Sequence, residues 1–166
     1  MKKASYKFAP YFFGLGIICL DIITKKYALF HLSEEVTSFF PYGGKAVFAN
    51  FLNGINFSLN LVKNTGAAWG LFSQYPHLLA YIRIAIVVFL IQRIAATKMT
   101  FLKKASFTCI CAGATGNLID HFKYGFVVDM FHFSFWKYDF PVFNVADAFI
   151  FIGVVALLFT KNRITQ

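Results

Sequence analysis

Two aspartates, Asp129 and Asp147, are the residues of this 166-residue chain best suited to chemistry. The chain has only seven carboxylates and is 58% apolar, and acidic side chains near a bilayer are costly and tend to mark function. Two carboxylates in a shared, poorly solvated site cannot easily both ionise. One then holds a proton while the other activates water for attack on an amide carbonyl. The pair therefore predicts aspartic peptidase chemistry.

Each aspartate also has a structural interpretation that needs no catalysis. Asn144 and Asp147 have the spacing of a capping box, in which two residues satisfy free N–H groups at the start of a helix. Asp129 could instead be a solvated carboxylate in a loop. The spacing alone leaves these alternatives open.

The composition indicates a small integral membrane protein, which we treat as one domain over residues 1–166. Only 14% of the residues are charged, and the apolar content exceeds what a compact soluble core of this size buries. A hydrocarbon core of about 30 Å demands roughly 20 residues per spanning helix. Four segments approach that length, at about residues 11–30, 78–94, 101–119 and 145–160. The predicted class is an all-α polytopic membrane protein with four transmembrane helices.

Lysine and arginine collect at three places along the chain, and this pattern predicts its orientation. The clusters are Lys2, Lys3 and Lys7; Arg93, Lys98, Lys103 and Lys104; and Lys161 and Arg163. Positive residues resist translocation, so all three clusters should be cytoplasmic. Both termini would then be cytoplasmic, and segments 31–77 and 120–144 would face outward. The net charge of +9 is explained by these loops and by anionic lipid headgroups, so we expect no nucleic-acid binding.

The first outward segment predicts a β-rich region at about residues 40–66. The polar residues Asn56, Ser58 and Asn60 alternate with apolar ones from Ile55 to Leu61, as in a half-buried strand. Asn53 and Gly54 suit a tight hairpin turn, with residues 47–52 as the partner strand. The second outward segment repeats the alternation with Phe131, Phe133 and Phe135, and Trp136 with Tyr138 suits the headgroup zone. We expect a small, aromatic-rich sheet on the outer surface, suited to a lipidic or apolar substrate.

Two clusters of small and polar residues could support a site. The segment from Asn64 to Ala68 permits close backbone approach and offers an amide, but it could equally be a turn that enters a helix. Gly113 and Gly116 favour close packing of transmembrane helices. Asn117 follows them, and a buried amide needs hydrogen-bond partners.

Asp21 and Lys25 lie four residues apart in the first predicted span. They could form an intrahelical ion pair or orient the outer site, and both interpretations stay open. The three cysteines, Cys19, Cys109 and Cys111, all lie inside predicted spans. They are too few and too apolar in their surroundings for a disulfide framework or a tetrahedral metal site. We expect buried apolar thiols and no metal.

Five blocks, taken in order, resemble the lipoprotein signal peptidase (type II signal peptidase) family of bacterial inner membranes. They are Asp21 to Lys25, Asn64 to Ala68, Gly113 to Asp120, Val127 to Asp129, and Phe143 to Asp147. Each block is weak alone, but the five together cover nearly the whole chain and are highly specific. The resemblance implies four transmembrane helices with a small periplasmic β-cradle.

The resemblance also implies roles for individual residues. Asp129 and Asp147 would be the catalytic pair at the periplasmic face. The residues that would bind substrate or position the site are Asn64, Gly66, Gly113, Asn117, His121, Asn144, Asp21 and Lys25.

The implied reaction is hydrolysis of the peptide bond before a diacylglyceryl-modified cysteine in a prolipoprotein. It needs no metal or cofactor. The implied partners are prolipoproteins and membrane lipids, and we expect a monomer. The family is also the target of the cyclic peptide antibiotic globomycin.

Two other classes of protein compete with a peptidase. A small membrane carrier or proton-conducting protein would relay ions through Asp21, Asp129 and Asp147, and would place them at different depths. A peptidase requires Asp129 and Asp147 to meet at one surface. A non-catalytic assembly factor would use the aromatic platform for docking and would tolerate Asp→Asn changes at both positions.

One position departs from the family pattern. After Asp120 the family usually has an arginine, and this chain has His121. Arginine carries a permanent charge and a fixed fork of donors, whereas histidine is mostly neutral near pH 7. We therefore predict that His121→Arg retains or raises kcat/KM for cleavage of a purified diacylglyceryl-prolipoprotein. Complete loss of activity in a folded variant would contradict the equivalence of the two residues.

Overall fold

The computed structural model describes residues 5–32, 44–66, 71–136 and 138–160. These residues form α1 Ser5–His31, β1 Lys45–Phe51, β2 Ile55–Asn64, α2 Pro76–Ala96, α3 Phe101–Tyr124, β3 Val127–Phe135, β4 Tyr138–Asp139 and α4 Val145–Leu158. A helix lies at each of the four predicted segments. The strands form one antiparallel sheet in the order β1-β2-β3-β4. The class is therefore helices with a small antiparallel sheet rather than all-α.

The α3 helix is the centre of the helical layer, because it packs against α1, α2 and α4. Its buried side chains are mostly small or polar, among them Ser106, Thr108 and Ala112. A Cβ on Gly113 would collide with the backbone oxygen of Ala146 in α4. Gly113 therefore permits the close helix packing that its residue type predicted.

The outer surface of the helices is apolar. The side chains of Phe12, Phe89 and Phe151 are 72%, 59% and 68% exposed, whereas those of Asp21 and Lys25 are each 1% exposed. Apolar groups outside and charged groups inside are typical of a protein that faces lipid.

Among the described residues, two helices are long and apolar enough to cross a membrane, at Phe8–His31 and Pro76–Ala96. The α4 helix is apolar but has only 14 residues, or about 21 Å at about 1.5 Å per residue. The α3 helix contains many polar residues because the other three helices shield it from the surroundings.

The predicted hairpin between β1 and β2 is confirmed. Its turn lies one residue earlier than predicted, because the N–H of Gly54 donates to the carbonyl of Phe51 at 3.3 Å. Leu52 and Asn53 are therefore the central residues, with left-handed φ of 49° and 57°. The partner strand begins at Lys45 and ends at Phe51, close to the predicted range of 47–52. Residues 40–43 of the predicted β-rich segment lie outside the described residues.

A register shift in β2 decides which side chains share the face of Asp129. Leu59 pairs with Phe131, and Val62 pairs with Asp129, with an irregularity between the two pairs. Residues that pair across antiparallel strands lie on the same face. Leu59 and Val62 therefore share a face although they are three positions apart.

The shift has two consequences. Leu61 turns to the opposite face, where it packs in a cluster with Ala28 and Val128, so the predicted alternation is wrong at its last residue. Asn64 turns onto the face of Asp129. A strand with strict alternation would have presented Lys63 there instead.

The aromatic residues of the sheet lie on this same face. Phe57 pairs with Phe133, and their rings stack with centroids 4.4 Å apart. Phe133 also stacks on Phe143, which precedes α4. The half-buried strand is confirmed, but its fully buried side is the polar one, since Ser58 and Asn60 are both 0% exposed.

Several sequence-based boundaries change in the structure. The α3 helix continues to Tyr124 and ends at Gly125, whose φ of 80° is the left-handed conformation common after a helix. Asp120 and His121 therefore lie in α3 and not in an outward loop.

Cys109 is buried, but Cys19 is exposed, so the prediction of a buried thiol is wrong for Cys19. The predicted positions that lie outside the described residues are Lys2, Lys3, Ala67, Ala68, Lys161 and Arg163.

Candidate active site

Asp129 and Asp147 line one open cavity of about 720 Å³. Asp129 belongs to β3 and is 1% exposed, so the alternative of a solvated loop carboxylate is wrong. Asp147 lies in the first turn of α4. The fold thus brings together two carboxylates from different elements. The remaining wall of the cavity is largely apolar and includes Phe143, Ile150 and Phe151.

Two asparagine amides hold the carboxylate of Asp129. Asn64 Nδ2 donates to Oδ2 at 2.9 Å, and Asn144 Nδ2 donates to Oδ1 at 2.7 Å. The amide oxygen of Asn64 in turn accepts from the backbone N–H of Gly66 at 2.8 Å. The Asn64–Gly66 segment is therefore a turn that also lines the cavity, and the next described helix, α2, begins only at Pro76.

The predicted capping box at the start of α4 is confirmed. Asn144 Oδ1 accepts from the backbone N–H of Asp147 at 2.9 Å, and Asp147 Oδ2 accepts from the backbone N–H of Asn144 at 3.4 Å. The other oxygen, Asp147 Oδ1, accepts from Asn117 Nδ2 at 2.8 Å. Capping thus fixes the Asp147 side chain at the cavity, so capping and a role in the site do not exclude each other.

Lys25 holds a network of buried groups behind the two carboxylates. Its Nζ lies 2.7 Å from Asp21 Oδ2 and 2.9 Å from Asp120 Oδ2, and it donates to Asn117 Oδ1 at 2.9 Å. This bond fixes the orientation of the Asn117 amide, because its oxygen must face the ammonium group. The amide nitrogen is then left to donate to Asp147.

The two partners of Lys25 also bind the backbone next to the two aspartates of the cavity. Asp21 Oδ1 accepts from the N–H of Ala146, at 2.8 Å, which is one residue before Asp147. Asp120 Oδ2 accepts from the N–H of Val128, at 3.0 Å, which is one residue before Asp129. The ion pair of Asp21 and Lys25 is therefore intrahelical, and its network is also hydrogen-bonded to the segments that carry Asp147 and Asp129.

The surroundings of Asp129 favour its protonated form. Burial, and then the neighbouring carboxylate of Asp147, raise the pKa of Asp129 to about 7, while the amides of Asn64 and Asn144 and the charge of Lys25 act in the opposite direction. A carboxyl group with this pKa still carries a proton in about half of the molecules at neutral pH. The pair can therefore supply both an acid and a base.

The remaining candidate residues lie near the site without contacting the two carboxylates. A Cβ on Gly116 would approach Asp21 Oδ2, so this glycine leaves room for the ion pair. His121 packs edge-on against His77 of α2, with ring centroids 5.6 Å apart. His121 is not among the described residues that line the cavity.

Sequence reasoning missed a charged cavity residue, Arg83, which lies in α2 and lines the cavity with Asp129 and Asp147. Its position inside an apolar predicted span was the available signal, because a charged residue there tends to be functional. In the described residues, no group of three or more His, Cys, Asp or Glu side chains could hold a metal ion.

Comparison with known proteins identifies the family. The profile described as signal peptidase (SPase) II matches residues 13–162. A lipoprotein signal peptidase of Staphylococcus haemolyticus is 31% identical over 159 residues, covering 95% of this chain and 93% of that protein. One of Clostridium tetani is 34% identical over 148 residues, covering 87% and 85%. The chain belongs to the signal peptidase II family.

A solved structure of a membrane enzyme has a similar fold. It is described as a bacterial membrane enzyme determined by the in meso method at 2.3 Å resolution. It superposes with a TM-score of 0.74 at 25% identity, covering 95% of this chain and 93% of that one. This signal peptidase II family member is therefore a membrane protein, and all of its candidate site residues lie inside the matched range.

Removal of the buried ammonium group should destabilise this family member. Lys25→Met leaves Asp21 and Asp120 as uncompensated buried carboxylates, and loss of one partner from a buried pair costs about 3–5 kcal/mol. We expect a clearly lower Tm in detergent and reduced cleavage. Lys26→Met is the matched control, because Lys26 is the next residue and is exposed. Equal thermal stability of the two variants would contradict the role of Lys25.

Proposed function

We propose that this chain is an aspartyl endopeptidase that removes signal peptides from diacylglyceryl-modified prolipoproteins by cutting before the lipidated cysteine. The observation that carries the proposal is the convergence of Asp129 and Asp147 on one cavity. The family assignment supplies the class of substrate. The apolar wall formed by Phe143, Ile150 and Phe151 suits a lipidated peptide.

The proposed mechanism uses one proton shared by the two carboxyl groups. The N-terminus of α4 favours negative charge on Asp147, so we assign the proton at rest to Asp129. Asp147 then takes a proton from the attacking water, while Asp129 donates its proton to the carbonyl oxygen. The tetrahedral intermediate collapses as Asp147 returns a proton to the leaving amine and Asp129 recovers one from the hydroxyl.

In this proposal four helices span the bacterial inner membrane and both termini are cytoplasmic. Asn117 lies sixteen residues after Phe101 in α3, so the site is about 24 Å along the helix axis from its start. The basic residues Arg93, Lys98 and Lys103 lie where α2 ends and α3 begins, at the opposite end of α3 from the site. The positive-inside rule then favours a periplasmic site and sheet. The chain would act as a single domain and a monomer.

The arrangement of acidic residues favours a peptidase over a carrier. A relay would need Asp21, Asp129 and Asp147 at successive depths along a polar path. Instead, Asp21 binds the backbone N–H of Ala146, next to Asp147, and Asn144 contacts both Asp129 and Asp147. The three acids thus form one cluster at one level.

The proposal predicts that Asp129→Asn and Asp147→Asn each lower kcat by at least about a hundredfold, since each removes a proton-transfer group. The measurement is cleavage of a purified diacylglyceryl-prolipoprotein in detergent, with the folding of each variant checked by thermal unfolding. Asp139→Asn is the matched control, because Asp139 is 53% exposed in β4 and is not among the described residues that line the cavity.

Full activity in either dyad variant would remove that residue from the catalytic pair. Full activity in both would favour the docking factor. A folded wild-type protein that does not cleave the substrate would contradict the peptidase and favour the carrier.

A further inference from the structure

Arg83 is the one cationic side chain among the described residues that line the cavity of Asp129 and Asp147. It lies in the α2 helix, whereas the two carboxylates come from β3 and α4. It also lines the cavity together with Asn64 and Gly66. Arg83 and the two carboxylates therefore line one cavity from different elements. A molecule bound in this cavity would contact both.

The guanidinium group of Arg83 makes no ion pair or hydrogen bond within the described part of the chain, although its charge acts on Asp147 and Asp129. Arginine has five N–H donors and no acceptor. An N–H donor that has no acceptor in a largely apolar cavity costs free energy. A ligand that brings acceptor oxygens into this cavity would satisfy them.

The negative charge of the two carboxylates does not depend on Arg83 alone for compensation. Lys25 already supplies a buried ammonium group, which reaches Asp147 through Asn117. Arg83 also lies beyond ion-pair distance of both carboxylates, which leaves Asp129 and Asp147 free to share a proton. These two features favour a contact with substrate over control of the dyad.

We propose that Arg83 is a substrate-positioning residue that binds carbonyl oxygens of the prolipoprotein next to the scissile peptide bond. The inference rests on the proposed peptidase function. A planar guanidinium fork binds two oxygens at once, and an extended peptide presents backbone carbonyls at regular spacing. The ester carbonyls of the diacylglyceryl group carry the same chemistry, so the experiment must separate the two sources.

The experiment measures kcat and KM for Arg83→Gln, Arg83→Lys and the wild type with full-length diacylglyceryl-prolipoprotein. We expect Arg83→Gln to raise KM about ten- to a hundredfold, because charge-assisted hydrogen bonds to the substrate are lost. The value of kcat should change less than about threefold, and the pH profile of kcat should move only slightly towards higher pH, because the variant removes a positive charge that acts on Asp147 without an ion pair. Arg83→Lys should be intermediate, because it keeps the charge and loses the fork.

The matched control is Arg93→Gln, since Arg93 is exposed in the last turn of the same helix. A second substrate with ether-linked alkyl chains lacks the ester carbonyls. An unchanged effect of Arg83→Gln on this substrate assigns the contact to the peptide backbone, whereas loss of the effect assigns it to the esters.

A wild-type KM in Arg83→Gln would overturn the proposal. So would a displaced pH profile of kcat with an unchanged KM, because the residue would then act on the dyad. If Arg83→Gln does not fold, the KM of Arg83→Lys decides in the same way. Failure of the peptidase function itself would appear separately, as absence of cleavage by the wild type and by Arg93→Gln.

Discussion

The buried ammonium group of Lys25 is the constraint on which the site depends. A charge that is 1% exposed must be compensated by partners with good geometry, and those partners are Asp21, Asp120 and Asn117. Asp21 comes from α1 itself, while the other two come from α3. One cation therefore fixes the rotation and depth of α3 against α1. The same contacts determine which atoms of each partner remain available for the rest of the protein.

The available atoms bind the segments that carry Asp129 and Asp147, the proposed catalytic pair. The two carboxylates of the ion-pair network bind backbone N–H groups that directly precede Asp147 and Asp129, and Asn117 donates to Asp147 itself. Asn144 then joins the two halves, because its side chain caps α4 and donates to Asp129. Rigid support of this kind keeps a catalytic pair in a productive geometry. The charge of Lys25 and the two carboxylates of the cavity are thus parts of one hydrogen-bonded structure.

Local sequence patterns predicted the helices and the hairpin. They did not predict the features that depend on contacts between distant residues. The four helices and the hairpin at Asn53 follow from hydropathy and turn preferences that act over a few residues. The capping box was equally visible, because its two residues are three positions apart. The register shift before Val62 was not visible in the sequence, because a bulge depends on pairing with β3. Nor could spacing place Lys25 against Asn117, which is 92 residues away. Arg83 was visible as a charge in an apolar segment, but its place beside the dyad depends on how α2 packs on α3.

The pH dependence of kcat for the wild-type protein is the measurement that tests the shared proton most directly. Single-turnover cleavage of a diacylglyceryl-prolipoprotein would be followed from about pH 4 to 9. Because burial and Asp147 raise the pKa of Asp129 to about 7, we predict a bell-shaped profile whose alkaline limb falls near neutral pH, as the shared proton is lost. The acid limb falls where both carboxyl groups are protonated and no base remains. A rate that keeps rising through pH 8–9 would contradict a dyad that needs one proton.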